Sequence, residues 1–444
     1  MRTENPSEIP LPKAPLRGLA LRTAAASIAL VAAASPAAAD TKPTSTTKEG
    51  GNAIRPFQVH VAESELTDLR KRINATRWPD KETVNDPSQG VQLATIQKLA
   101  RYWGSEYDWR KVESRLNALP QFITEVDGVD IHFIHVRSKH EGALPVIITH
   151  GWPGSVIEQM KIIDPLVNPT AHGGSAADAF DVVIPSMPGY GFSGKPTSTG
   201  WDPPRIARTW AMLMQRLGYT RYVAQGGDWG ALVTEQMGVQ APAGLLGIHT
   251  NMPSAVPAEI AAALASHTPP PGLGADEKRA FERLDFFFTH GLSYAQQMGN
   301  HPQTLYGIAD SPVGLAAWFI DHDLLSYEMI ARVFDGQSEG LTRDDILDNI
   351  TITWLTNSGI SGARLYRENK LPFFAPMGVK VPIAVSAFPE ELYQAPRSWV
   401  ERAYPHLIHY NKLPKGGHFA AWEQPKFLSE EMRAGFRPLR TANP

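Results

Sequence analysis

The sequence predicts an α/β fold, built on a mostly parallel sheet with helices on both faces. Three observations carry that expectation. Short apolar runs that read as buried strands recur at 146–149, 180–185, 222–225, 246–249, 381–385 and 407–409, with helical stretches among them. Apolar residues make up 43% of the 444 positions and charged residues 20%, an ordinary balance that excludes a chain disordered throughout. Proline (37) and glycine (36) are plentiful, which favours a loop-rich α/β chain over a helical array.

In chain order, residues 1–39 read as an export signal. Arg17 and Arg22 flank a run of small apolar residues at 24–34, and Ala37-Ala38-Ala39 offers an A-x-A cleavage pattern before Asp40. The run is shorter than the ~20 residues of a membrane span. No twin arginine is present, so general secretion is expected; the alternative is an Ala-rich tail. Cleavage would remove four basic and two acidic residues and move the formal charge from −3 to −5. Residues 40–53 read as a polar linker.

Residues 54–120 are expected to form a mainly helical N-terminal domain. Leu66, Leu69 and Ile73 recur at helical spacing, as do Leu93, Ile96 and Leu99, and Trp103, Tyr107 and Trp109 add large anchors. This segment has no Ser/His/Asp grouping and reads as a packing layer against a larger domain. Residues 121–251 form the first part of that domain's core. They open with a hairpin whose strands, 122–125 and 131–136, flank Asp127-Gly128. Residues 252–375 are a helical insertion read as a lid over the ligand crevice. It opens on Pro269-Pro270-Pro271, sets Phe281, Leu284 and Phe288 on one helical face, and begins a later helix at Thr342-x-x-Asp345 bearing Ile346, Leu347, Ile350 and Trp354. Residues 376–444 supply the second part of the core.

The charge and cysteine counts narrow the function. With 42 basic and 45 acidic residues, nothing points to nucleic acid or to an anionic lipid surface. The absence of cysteine excludes disulfides, Cys-ligated zinc, iron–sulfur clusters and a thiol nucleophile.

The strand at 222–225 runs into Gly226-Gly227-Asp228-Trp229-Gly230 and then into a helical stretch with Leu232, Val233 and Gln236. That is the context of a nucleophile elbow in an α/β-hydrolase fold, where small residues let a sharp strand-to-helix turn close. The bland alternative is an ordinary Asp-containing turn. An Asp at the nucleophile position can attack an sp3 carbon and leave an alkyl ester, which water cleaves at its carbonyl. This suits epoxides and alkyl halides and poorly suits amides.

His150-Gly151-Trp152-Pro153-Gly154-Ser155 follows the 146–149 strand. In this fold such a loop supplies one backbone N–H of an oxyanion hole and the residue after the nucleophile supplies the other, which names Trp152 and Trp229. His150 is expected to be a structural hydrogen-bonder, because it falls outside the order nucleophile, acid, histidine. That order places the base in Gly416-Gly417-His418-Phe419, with His406 and His409 as rivals read as structural. It places the acid after the 381–385 strand, at Glu391 or Glu390, although either could be a surface carboxylate.

Together these motifs resemble the microsomal epoxide hydrolase family over nearly all of 54–437. The resemblance rests on Ile54-Arg55-Pro56-Phe57, Asp108-Trp109-Arg110, Gln121-Phe122 leading to Ile131-His132-Phe133-Ile134-His135, the HGWPGS loop at 150–155, and Pro188-Gly189-Tyr190-Gly191-Phe192-Ser193. It continues through the GGDWG elbow, the DSPVGLAAW stretch at 310–318, SAFP at 386–389 and Gly416-Gly417-His418-Phe419-Ala420-Ala421. It implies roles residue by residue: Asp228 as nucleophile, His418 as base, and Glu391 as its acid within SAFP-x-E-L. Two lid tyrosines that polarise the epoxide oxygen are implied at Tyr366, within Leu365-Tyr366-Arg367-Glu368-Asn369, and at Tyr294, with Tyr306 a nearby rival. A lid tyrosine can also be simply a packed aromatic.

The implied reaction converts an epoxide and water to a vicinal diol, with no metal or organic cofactor, in settings of detoxification or aromatic hydrocarbon catabolism. A haloalkane dehalogenase is the alternative. It shares Asp, His and the Trp after the nucleophile, but needs halide donors in place of lid tyrosines. A silent hydrolase fold used as a binding module would have lost a triad member, and all three are kept here. Mammalian relatives are held at a membrane by an N-terminal helix, whereas this chain carries a signal-like segment. The expected location is therefore exported, periplasmic or secreted, with no membrane span in the mature form.

Overall fold

The computed structural model describes residues 52–337 and 340–440. The expected signal at 1–39, and the linker up to residue 51, lie outside the described residues. The centre is a nine-stranded sheet: β1 Arg55–Phe57, β2 Gln121–Val126, β3 Val129–Val136, β4 Leu144–Thr149, β5 Phe180–Pro185, β6 Tyr222–Gly226, β7 Leu245–Thr250, β8 Ile383–Ala387 and β9 Leu407–Lys412. Their spatial order is β1-β2-β3-β5-β4-β6-β7-β8-β9. The first three strands join antiparallel, β3 meets β5 antiparallel, and every pair from β5 to β9 is parallel. The parallel strands β4 to β8 are buried on both faces, which is why they read as continuous apolar runs rather than alternating ones. The α/β-hydrolase expectation holds.

The β2–β3 hairpin closes on Asp127 and Gly128, both with positive φ (51° and 79°), the geometry of a type I′ turn. Two details differ from the sequence reading. The N-terminal segment is not purely helical: Arg55–Phe57 adds an edge strand to β2. β8 begins at Ile383, two residues later than expected, because Pro382 has no N–H to give the ladder.

The N-terminal helices Glu63–Asn74, Leu93–Ser105 and Trp109–Asn117 bury the expected stripes except at Leu93, which is half-buried. They pack on the lid: Trp103 donates its indole N–H to Thr351 at 3.0 Å and Tyr107 its hydroxyl to Asp348 at 2.8 Å. The lid is the run of helices between β7 and β8. Thr342 caps Arg343–Leu355 through a full capping box with Asp345, and Ile346, Leu347 and Ile350 are buried there while Trp354 is half-buried. The helix Ala275–Phe286 buries Phe281 and Leu284 but not Phe288. A π-helical turn at Phe287–Gly291 inserts an extra residue per turn, rotating Phe287 inward and leaving Phe288 exposed.

Candidate active site

The parallel strands end on one edge of the sheet, and four loops leaving that edge converge. Asp228 sits between β6 and the helix Trp229–Gln240 with φ 52° and ψ −128°, a strained conformation for a residue with a Cβ. The glycines around it are obligatory. A Cβ on Gly226 would lie 2.1 Å from the Gly230 carbonyl oxygen, and one on Gly230 would lie 2.0 Å from that of Thr149. The elbow reading of the sequence is thus met by steric necessity.

The HGWPGS loop brings the Trp152 N–H to 2.6 Å from Asp228 Oδ1, a short charge-assisted hydrogen bond. Gly151 permits this approach, since a Cβ there would lie 2.3 Å from the same oxygen. The loop is tied to the lid by Asn349, which donates to the Pro153 carbonyl at 2.6 Å and accepts from Ser155 Oγ at 2.7 Å. Trp229, the other expected amide donor, opens the helix directly after Asp228. His150 is structural: its Nε2 accepts the Met187 N–H at 3.1 Å, its Nδ1 lies 3.0 Å from the Gly151 carbonyl, and burial pushes its pKa down to about 4.

His418 follows β9 on a loop whose backbone is pinned on both sides, as Glu423 accepts the N–H groups of Gly417 (2.8 Å) and Phe419 (2.9 Å). Its Nδ1 lies 2.6 Å from Glu391 Oε1, and its Nε2 lies 3.4 Å from Asp228 Oδ2. Glu391 is buried, whereas Glu390 is exposed. The structure therefore pairs the histidine with the second of the two glutamates. The Glu390 N–H donates to Gly416 O at 3.1 Å, so the acid and base loops are also tied through the main chain. The rivals lie elsewhere: His409 bonds Glu431 at 2.8 Å and His406 is exposed.

The electrostatics are coupled. Burial lowers the His418 imidazole, but the Glu391 charge and Asp228 outweigh it and hold it well above its ordinary value. Burial raises the Asp228 carboxyl, but the bond and charge of His418 hold it below the ordinary range. The resting pair is thus imidazolium and carboxylate.

The lid supplies an aromatic wall. Tyr294 stacks on Trp152 with ring centroids 4.9 Å apart, and Tyr366 meets Trp152 and Trp229 edge-on at 5.7 and 4.7 Å. The two tyrosine rings are 5.9 Å apart, and burial followed by nearby charge or phenol groups raises both well above 10. Tyr306, the rival, is 66% exposed and away from this wall. The helix carrying Tyr366, Gly359–Glu368, is docked on the 188–193 loop by Tyr190, whose hydroxyl donates to the Gly362 carbonyl at 3.0 Å.

Three residues near Asp228 escaped the sequence reading. His322 lies between the helices Pro312–Ile320 and Leu324–Phe334, its ring 4.4 Å from that of His418 and its Nδ1 2.9 Å from Asp323 Oδ2. Asp323 also caps the second helix by accepting the Ser326 N–H at 2.9 Å. The Asp-x-x-Ser spacing signals that cap but not its histidine. Glu158, on the helix Val156–Val167, is raised to about 8 by burial and by Asp228. Among the described residues, Asp228, His322 and His418 have donor atoms within 4.8 Å of one another, close enough to share one small occupant. On the other side of Asp228 an enclosed cavity of about 20 Å3 is lined by Glu158, Gln159, Gln225, Asn251 and His418 among others. A wider cleft of about 780 Å3 leads from the 86–90 loop to Tyr294 and His322.

An α/β hydrolase with a carboxylate at its elbow, backed by a His–Glu pair, is the class that this fold and site define. Comparison with known proteins sharpens it. Residues 54–159 match the model described as epoxide hydrolase N terminus, and residues 145–289 match that of the alpha/beta hydrolase fold. The chain belongs to the microsomal-type epoxide hydrolase family, hydrolases that add water to an epoxide. A Stigmatella aurantiaca protein classed by name with the epoxide hydrolases is 49% identical, covering 87% of this chain and 86% of its own. Rabbit (Oryctolagus cuniculus) epoxide hydrolase 1 is 36% identical, covering 85% and 88%. The crystal structure of juvenile hormone epoxide hydrolase from the silkworm Bombyx mori superimposes with a TM-score of 0.76 at 28% identity, covering 88% and 95%. No helix among the described residues is long and apolar enough to cross a membrane.

Proposed function

We propose that this epoxide hydrolase works through Asp228 as nucleophile, His418 as base, Glu391 as its orienting acid, and Tyr294 and Tyr366 as donors to the epoxide oxygen. The observation that carries it is the strained Asp228 elbow facing His418 Nε2, with the Trp152 amide on its other oxygen. Asp228 attacks a ring carbon and forms an ester. The tyrosines hydrogen-bond the ring oxygen as it becomes an alkoxide, and one phenol proton passes to it. Esterification removes the Asp228 charge, which lowers the His418 pKa and lets the imidazole lose its proton. His418 can then take a proton from water, and the ester oxyanion is received by the Trp152 and Trp229 amides. The aromatic wall suits apolar epoxides, such as those met in detoxification or aromatic hydrocarbon catabolism. Intact-mass analysis of His418→Gln with excess epoxide tests the reading. The ester should accumulate on Asp228, and a folded variant that never gains the substrate mass rejects the covalent route.

The enzyme is also proposed to be exported, periplasmic or secreted. The support is the order of basic flank, apolar run and Ala37-Ala38-Ala39. Protein recovered from a secretion-competent bacterium should begin at Asp40; intact chain found solely in the cytosol argues against export.

A further inference from the structure

Ester hydrolysis needs a water held between His418 and the Asp228 ester. Water brings two protons. The first passes to His418 Nε2 as the water oxygen bonds to Asp228 Cγ. When the Cγ–O bond to the alkyl group breaks, His418 returns that proton to the departing diol oxygen. The second proton remains on the new Asp228 carboxylic acid. It must leave before the carboxylate can attack again, and His418, neutral once the diol oxygen is protonated and 3.4 Å from Asp228, takes it and regains the resting imidazolium, its earlier proton having gone to the tyrosine that protonated the alkoxide.

We propose that His322, held by Asp323, is a second catalytic imidazole that binds the attacking water through its Nε2 and so holds it between His418 and the ester. This rests on the covalent route proposed above. The donor atoms of Asp228, His322 and His418 form a triangle with no side longer than 4.8 Å. One oxygen can therefore lie within about 2.8 Å of all three, a normal hydrogen-bond distance. His322 is buried, with 1% side-chain exposure, and its Nε2 is without a hydrogen-bond partner. Its Nδ1 is committed to Asp323 Oδ2, which leaves Nε2 as the ring atom able to meet a ligand in the site. Asp323 is held below the ordinary carboxylate range: burial raises it, but His322 and the Ser326 cap outweigh that. The arrangement repeats the Glu391–His418 pair from the opposite side. The Tyr294 ring is 5.1 Å from His322, which places the water site beside the wall of lid aromatics.

The enclosed core-side cavity also borders Asp228 and His418 and is large enough for one water. Its other polar side chains are three amides and Glu158, which carries its own proton below about pH 8. They can hold a water, but His322 does not border that cavity.

Single-turnover kinetics separate the steps. His322→Gln should form the Asp228 ester at close to the wild-type rate and hydrolyse it at least about tenfold more slowly. Asp323→Asn keeps the helix cap, so it tests the same step if the first variant folds poorly, and should slow hydrolysis in the same direction. In the His418→Gln background, adding His322→Gln should extend the lifetime of the ester by about tenfold again. Ester formation in all of these reports on the covalent route, and ester decay reports on His322. Wild-type decay in both single variants overturns the proposal, as does an equal slowing of both steps. Decay lost in Gln225→Leu but kept in His322→Gln places the water in the core-side cavity and also overturns it.

Discussion

The hydrolase core and the lid deliver groups to the same carboxylate by different means. Trp152, Asp228, Glu391 and His418 each lie a few residues beyond the end of a parallel strand, so sheet register sets their positions. Tyr294, His322 and Tyr366 come from three separate lid segments, held by ring packing and by contacts such as Tyr190 to Gly362. In the core an added methyl is forbidden outright at Gly151, Gly226 and Gly230. In the lid no comparable backbone constraint surrounds the tyrosines, and a π-helical turn lies just upstream of Tyr294. A strand end demands a strict local sequence; a docked helix demands only that a ring arrive at the right place.

Substitutions can break that contrast, beginning with the largest expected effect. Glu391→Gln removes the charge that orients His418 and stabilises its imidazolium, and should slow ester hydrolysis by about 10³–10⁴-fold while alkylation persists. Glu390→Gln, on the exposed neighbour, should leave both steps within about twofold. Rapid-quench measurement of the two half-reactions decides; equal losses would mean that the core positions are less strict than the strand-end geometry requires.

Gly151→Ala comes next. Its Cβ would sit 2.3 Å from Asp228 Oδ1, so either the Trp152 amide or the carboxylate must move. Loss of a hydrogen bond of this type typically lowers rates by about 10²–10³-fold. The single-turnover rate of ester hydrolysis should fall by that order with an unchanged fold by circular dichroism. A rate near wild type would show that the loop can give way as a lid segment can.

The lid should be more forgiving one residue at a time. Tyr294→Phe or Tyr366→Phe should each lower alkylation by about ten- to a hundredfold, since one phenol remains, and the double change should nearly abolish it. Tyr306→Phe should match wild type. If either single change matches the double, the two donors act as one strict unit and the contrast with the core disappears.

The same contrast explains what was legible in the sequence. The Asp228 elbow, the HGWPGS loop and the His418 loop could be read because sharp turns restrict residue choice over several consecutive positions. Choosing Glu391 over Glu390 from residues alone was open, because neighbouring carboxylates differ only in the direction they face. The second tyrosine was ambiguous for the lid reason: Tyr294 and Tyr306 lie in similar helical surroundings in sequence, and only tertiary packing buries one and exposes the other. His322 left no signal. Its neighbour Asp323 reads as a routine helix cap, and nothing local says that the histidine faces His418. The strand at 55–57 was missed because three residues give no period and their pairing with β2 is long-range.

The smallest expected effect on turnover is at Glu158, whose buried carboxyl in the core is shifted in the opposite direction from that of Asp323 in the lid. In the core, Glu158 is raised to about 8, first by burial and then by Asp228. Below about pH 4.5 it is protonated whether the chain is folded or not. As pH rises from there towards 8 the unfolded chain ionises while the folded one stays neutral. Wild-type stability is therefore drained by about 1.4 kcal/mol per unit through that window and levels off above it. In the lid, Asp323 is lowered, so its contribution is present above about pH 4 and is lost as pH falls towards its folded value. Glu158→Gln removes the core slope while keeping the side-chain shape. Relative to wild type it should gain a few kcal/mol of unfolding free energy between pH 5 and pH 8, with alkylation changed by no more than about threefold. Asp323→Asn should show its deficit at pH 7 and converge on wild type in acid. Denaturant unfolding of the three proteins at about pH 2, 4, 5, 7 and 8 makes the comparison. Curves for Glu158→Gln and wild type that stay parallel from pH 5 to 8 would mean that Glu158 is already ionised, and that the core tolerates a second negative charge beside its nucleophile.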